Sequence, residues 1–169
     1  HAPRVVFAPG GGYLVLIGTG KLLENADLDA SGYAVQSFYA IRDSIAKPPV
    51  LVEGRSELAR RSVSGAGPYV INGDAITFEG KGARKGWYLD LPNWRIAGER
   101  SAAPPLLLSG AVVFDTLSPG TGVCAVPVAR TYILDALSGL AYSGTGVPGP
   151  GHVTGDVVDQ AAGLTAPVL

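Results

Sequence analysis

Glycine and proline cut this chain into short apolar runs, and that punctuation constrains the fold more than any other feature. Val15-Leu16-Ile17 runs straight into Gly18-Thr19-Gly20 and then into the polar stretch Lys21–Asp27. A second run, Phe38-Tyr39-Ala40-Ile41-Arg42-Asp43, closes on Asp. A strand, a glycine turn and a strand ending on Asp is the pattern of a repeating all-β unit. No long segment repeats apolar residues every 3.6 positions, which excludes a helical architecture.

Apolar residues make up 47% of 169 residues, too many for a disordered chain and enough for one sizeable core. A net charge of −1 argues against a nucleic-acid or membrane-surface binder. No apolar run approaches the roughly 20 residues that cross a bilayer as a helix. There is no signal peptide and no Met, and the first residue is His1. The chain therefore reads as a piece of a longer protein, with His1 left by a tag or a cleavage. Cys124 is the single cysteine, so any disulfide would need a partner outside the chain.

Hairpins are expected where turn residues separate apolar runs. Arg4–Phe7 and Tyr13–Ile17 flank Pro9-Gly10-Gly11-Gly12, and Tyr69–Ile71 and Ala75–Phe78 flank Asn72-Gly73-Asp74. Leu106–Leu108 and Ala111–Asp115 flank Ser109-Gly110. Further strands are predicted at Phe38–Ile41, Val50–Val52, Gly86–Leu91, Arg130–Asp135, Leu140–Tyr142 and Ala166–Leu169, with one helical turn over Ser56–Arg61. Ser143–Gly155 reads as loop. An aromatic strand closes on Asp at Tyr39…Asp43, Tyr88…Asp90 and Tyr132…Asp135. The expectation is an all-β partial β-propeller of about three four-stranded antiparallel blades. The blades would span residues 4–54, 69–101 and 106–143, with 144–169 a loop and the start of the next. Propellers close with roughly four to eight blades, so the ring needs blades from elsewhere in the same parent.

The ordered set Leu16–Lys21, Glu24–Asp27, Phe38–Asp43, Gly86–Leu91, Gly98–Arg100, Val112–Thr116, Pro119, Cys124 and Tyr132–Gly139 resembles the C-terminal β-propeller of the PilY-type type IV pilus assembly and tip-adhesin family. The resemblance implies a non-enzymatic module of pilus biogenesis and adhesion, exported to the bacterial outer membrane or cell surface. It implies pilins, minor pilins and host-surface receptors as partners, beside the remaining blades. It implies no cofactor in this chain; calcium would belong to the parent, because the family's loop of alternating Asp residues is not matched here. The competing class is a quinoprotein-dehydrogenase-like propeller enzyme, since Tyr132–Leu140 also resembles its strand–turn repeat. That repeat's closing Trp is missing from this copy.

Single residues add little chemistry. Asn25, Asp27 and Asp29 alternate as cation ligands would, but no bidentate Glu follows, and short polar side chains in a loop usually bind local backbone instead. His1 and His152 are poorly placed to serve Cys124 or a Ser as a base. Gly18-Thr19-Gly20-Lys21 lacks phosphate-loop spacing and reads as a turn. Trp87 is expected in the core, and Trp94, after the strand stop at Pro92, on a recognition surface. Arg55, Arg60 and Arg61 form a basic cluster on a solvated face, or a docking patch for an acidic pilin surface. Glu99 and Arg100 are expected to be structural or surface residues. Gly20–Gln36 and Ser143–Leu164 are the loops expected to meet partners, and shortening them should leave the domain folded.

Overall fold

The computed structural model describes residues 2–21, 23–24, 27, 29–49, 51–65, 69–92, 98–101, 103–119, 127–142 and 152–157. It is all-β, with ten strands and no α-helix among the described residues. Among the described residues no helix is long and apolar enough to cross a membrane. The strands are β1 (Arg4–Phe7), β2 (Tyr13–Gly18), β3 (Ser37–Asp43), β4 (Ala59–Ser64), β5 (Val70–Asn72), β6 (Gly86–Asp90), β7 (Leu106–Leu108), β8 (Ala111–Ser118), β9 (Val128–Asp135) and β10 (His152–Val157). They form a six-stranded sheet, β1-β2-β3-β6-β4-β5, and a four-stranded sheet, β10-β9-β8-β7. The segments 4–54 and 69–101, expected as separate units, thus contribute to one sheet.

Several local expectations are corrected. Asn72-Gly73-Asp74 is not a hairpin turn: β5 pairs back with β4, Ser62 opposite Asn72, and Ala75–Phe78 is not a strand. Gly73 serves a close approach instead, since a Cβ there would sit 2.5 Å from Nη1 of Arg61. The helical turn covers only Arg55–Glu57, as 3₁₀; Ala59–Arg61 belongs to β4, which runs parallel to β6 with Arg60 opposite Tyr88. Leu51 and Val52 form no strand, because β3 already has β2 and β6 on its two edges. Towards the C-terminus, the fourth strand of the second sheet is β10, where loop was expected, while Ala141 makes only an isolated bridge to Leu134.

Strand alternation explains the core. Leu14 and Leu16 of β2, Phe38 and Ala40 of β3, and Trp87 and Leu89 of β6 face inward and are fully buried. They meet Val112 and Phe114 of β8 and Tyr132 and Leu134 of β9. An aromatic seam joins the two sheets: Phe38 stacks on Phe114 at 3.9 Å between centroids, and Phe114 on Tyr132 at 4.9 Å. Trp87 extends the seam, 5.9 Å from Phe38, and its Nε1 donates to the Ala136 carbonyl at 3.2 Å. The outward faces carry apolar residues too. Val5, Phe7, Tyr13, Val15, Ile17, Tyr39, Ile41 and Tyr88 share the outer face of the first sheet through the strand registers. Phe7 is 76% and Val5 51% exposed. Val113, Leu117, Ala129 and Ile133 share the outer face of the second sheet with Asp115 and Thr131, and Val113 is buried.

Candidate functional site

The basic cluster lies where the 3₁₀ turn Arg55–Glu57 meets β3, β6 and β4. Arg55 lies over the rings of Tyr39 (5.3 Å) and Tyr88 (4.9 Å), stacked positions that suit a planar guanidinium. Its Nη1 reaches Asp90 at 3.0 Å, and its Nη2 donates to Ser37 Oγ at 3.0 Å and to the Tyr39 hydroxyl. Arg60, on the outward side of β4, approaches the same carboxylate at 3.9 Å. Arg61 is the next residue and faces inward, so it is not on a solvated face as expected: it is 1% exposed. Its Nε donates to the Ser138 carbonyl at 2.7 Å and its Nη1 to the Arg60 carbonyl at 3.0 Å, while Nη2 is buried without a hydrogen-bond partner. Burial lowers the Arg61 pKa from the usual guanidinium range, opposed by the charge of Asp74. Arg84, Asp74 and Asp90 join this group. No local sequence signal singles them out, because the fold brings them in from distant positions such as Asp90, 35 residues from Arg55.

A cleft of about 530 Å³ opens here, lined on its polar side by Arg55, Ser56, Arg60, Arg61, Asp74 and Arg84. A second cleft of about 530 Å³, more apolar, lies across Arg55 against Tyr39, Ile41, Leu51 and Leu58.

The other candidates are absorbed by structure. Asp27 is buried, and its Oδ2 accepts from the backbone N–H groups of Leu23 (2.9 Å) and Glu24 (3.2 Å), with Lys21 at 3.3 Å from Oδ1. These contacts, the Leu23 bond first, hold its carboxyl below the usual range. Asp29 accepts from the Ser31 hydroxyl (2.7 Å) and N–H (3.0 Å), which lower it likewise. Both carboxylates are thus engaged by the loop itself, and no metal-binding group occurs among the described residues. Asn25, Trp94, Cys124 and His1 lie outside the described residues. Glu99 and Arg100 are buried and structural. Glu99 pairs with Arg130 at 2.5 Å and accepts from Thr116 Oγ1 and the Tyr132 hydroxyl, each at 2.7 Å. Arg100 donates to the carbonyls of Gly98 (2.8 Å), Lys21 (2.8 Å) and Asp27 (3.1 Å) and lies over Tyr33 at 4.9 Å. Shortening Gly20–Gln36 would withdraw two of those acceptors from a buried cation, so that loop is part of the fold rather than a free contact arm.

No family model matches the chain. Over 83% of its length it is 32% identical to a protein of Xylella fastidiosa named as a type IV pilus biogenesis factor PilY1 homolog, covering 10% of that relative. It is 28% identical to the type IV pilus biogenesis factor PilY1 of Pseudomonas aeruginosa, over 82% of this chain and 14% of that protein. The chain thus spans about a tenth to a seventh of the curated relatives it matches. Its structure superposes on the crystal structure of the Pseudomonas aeruginosa PilY1 C-terminal domain with a TM-score of 0.65 and 26% identity, over 84% of this chain and 32% of that one. The expected resemblance holds in sequence and in three dimensions: this is a PilY-type protein chain, from the C-terminal region of that family.

Proposed function

We propose that this chain is a slice of a β-propeller in a type IV pilus biogenesis protein at the bacterial surface, and that it works by binding other proteins rather than by catalysis. The observation that carries the reading is the match, over 83% and 82% of the chain, to relatives named as type IV pilus biogenesis factors. The apolar outer face of the first sheet supports the propeller. With Val5 and Phe7 exposed, it is a surface that a neighbouring blade would cover. Pilins and minor pilins are the proposed partners, with host-surface receptors for adhesion. A calcium loop belongs, in this reading, to other parts of the parent. The buried Glu99, Arg130 and Arg100 support a non-enzymatic role, since their polar atoms hold loops and strands together.

The test is genetic and direct. Deleting the coding region for this chain in its host should strip surface pili and abolish twitching motility, and the parent protein should remain detectable by immunoblot. Normal piliation with the deleted protein present refutes the pilus role. Dye-linked dehydrogenase activity in the purified chain would refute the non-catalytic reading.

A further inference from the structure

The arginine cleft has an excess of positive charge that the protein does not itself neutralise. Four guanidinium groups line it, Arg55, Arg60, Arg61 and Arg84, against one lining carboxylate, Asp74. Arg55 is matched by Asp90 at 3.0 Å. Arg84 donates Nη1 to the Ser56 carbonyl, a neutral acceptor. Arg60 stands 3.9 Å from Asp90 with its side chain 68% exposed. Arg61 is the decisive member. It is 1% exposed, its bonded acceptors are backbone carbonyls, and Nη2 has no hydrogen-bond partner. A buried cation whose hydrogen bonds all go to neutral carbonyls, with Asp74 acting on it only through its charge, is costly, and that cost falls when a further anion takes up position beside it.

We propose that this cleft holds an acidic segment of a partner polypeptide, with a carboxylate seated among Arg60, Arg61 and Arg84. The inference deepens the protein-binding reading above and rests on it. Guanidinium forks match carboxylates two bonds at a time, which favours Asp or Glu side chains. The cleft's volume of about 530 Å³ exceeds what a small ion fills. Leu58, Ala59, Ala75 and Tyr88 complete its wall and offer apolar contact to the peptide's own backbone and neighbouring side chains. Arg55, lying over two neighbouring tyrosine rings and bonded to Asp90 and Ser37, forms a border that need not reorder on binding.

Fluorescence anisotropy with a fluorescein-labelled tetra-aspartate peptide tests this on the whole chain. Saturable binding is expected, weakening as salt rises, with none for a matched tetra-lysine peptide. The double variant Arg60→Gln/Arg84→Gln changes exposed side chains and should fold normally; its affinity should fall at least tenfold. Arg61→Lys keeps the charge and loses the fork, and should weaken binding in parallel. Absence of saturable binding, or undiminished binding by the double variant, overturns the proposal. So does displacement of the peptide by inorganic phosphate at equal concentration, which would make this a small-ion site. Piliation distinguishes the two readings: loss on deleting the region, with no peptide binding by the purified chain, refutes the cleft and leaves the pilus role standing.

Discussion

Replacing Glu99 by Ala should be among the most damaging single changes in the molecule. Its side chain is 1% exposed, and three donors converge on it: Arg130 Nη1 at 2.5 Å, and Thr116 Oγ1 and the Tyr132 hydroxyl at 2.7 Å. Burial, reinforced by the Glu99 charge, pushes the Tyr132 phenol well above its usual pKa, so it remains a donor across the accessible pH range. Withdrawing one partner from a buried ion pair costs about 3–5 kcal/mol, and each neutral donor stranded with it adds about 1 kcal/mol. The expected loss is therefore about 5–7 kcal/mol, a large part of the roughly 5–15 kcal/mol that holds a domain together. Glu99→Gln keeps an acceptor for Tyr132 or Thr116 and should lose about 2–4 kcal/mol. The double change Glu99→Leu/Arg130→Met removes both charges and should recover most of the deficit. Urea unfolding followed by tryptophan fluorescence, with slopes compared between variants, measures all three. A Glu99→Ala loss under about 1 kcal/mol would refute the reasoning, as would a double variant no better than Glu99→Ala.

Other changes isolate other parts of the structure. Gly139 has φ +69°, and a Cβ there would sit 2.3 Å from Trp87 Cδ2, so Gly139→Ala should cost about 2–4 kcal/mol in urea melts. Gly110, at φ +87° with open space around it, is the control: Gly110→Ala should cost only about 1–2 kcal/mol. Burial raises the Asp115 pKa, with the Thr131 hydrogen bond opposing, so the ionised form subtracts stability at neutral pH and stops doing so as pH falls through the folded pKa. Asp115→Asn should thus raise the melting temperature at pH 7, and the gain should vanish near about pH 4. Asp27 carries the opposite sign. Its lowered pKa gives stability above the unfolded value that is lost as pH falls through the folded one, so Asp27→Asn should flatten the acid limb of a melting-temperature profile below about pH 4.

The sequence disclosed the strands that alternate cleanly and hid those whose inward residue is polar. β2, β3, β6, β8 and β9 each carry at least two apolar residues at alternate inward positions, and that core could be read directly, although Thr116 of β8 and Arg130 of β9 also point inward. β4 reads Ala59-Arg60-Arg61-Ser62-Val63-Ser64, and its inward Arg61 breaks the apolar code because its partner is a carbonyl 77 residues away. Asn72-Gly73 failed as a turn signal for the same reason: that glycine makes room for Arg61. The Arg55 and Arg60 members of the cleft were legible as a basic cluster, whereas Asp74 and Arg84 join it only through tertiary packing. The pairing of β6 with both β3 and β4, one antiparallel and one parallel, left no trace in local pattern.

The two sheets are held by interactions of two kinds, and the difference locates the binding capacity. The aromatic seam of Phe38, Phe114, Tyr132 and Trp87 supplies attraction without fixing a unique alignment. Directional bonds set the alignment. Trp87 Nε1 reaches Ala136, Arg61 Nε reaches Ser138, and both acceptors lie on the turn that follows β9. Gly139 closes the same turn against the Trp87 ring. The first sheet therefore grips the second at this short turn, in addition to the bond from Arg4 Nε to the Pro105 carbonyl at 2.8 Å. Arg61 does this with one arm of its guanidinium and keeps Nη2 uncommitted beside the arginine cleft. A partner carboxylate seated there would sit against the residue that locks the two sheets, so binding at the cleft and the rigidity of the sheet interface would be coupled through the same side chain.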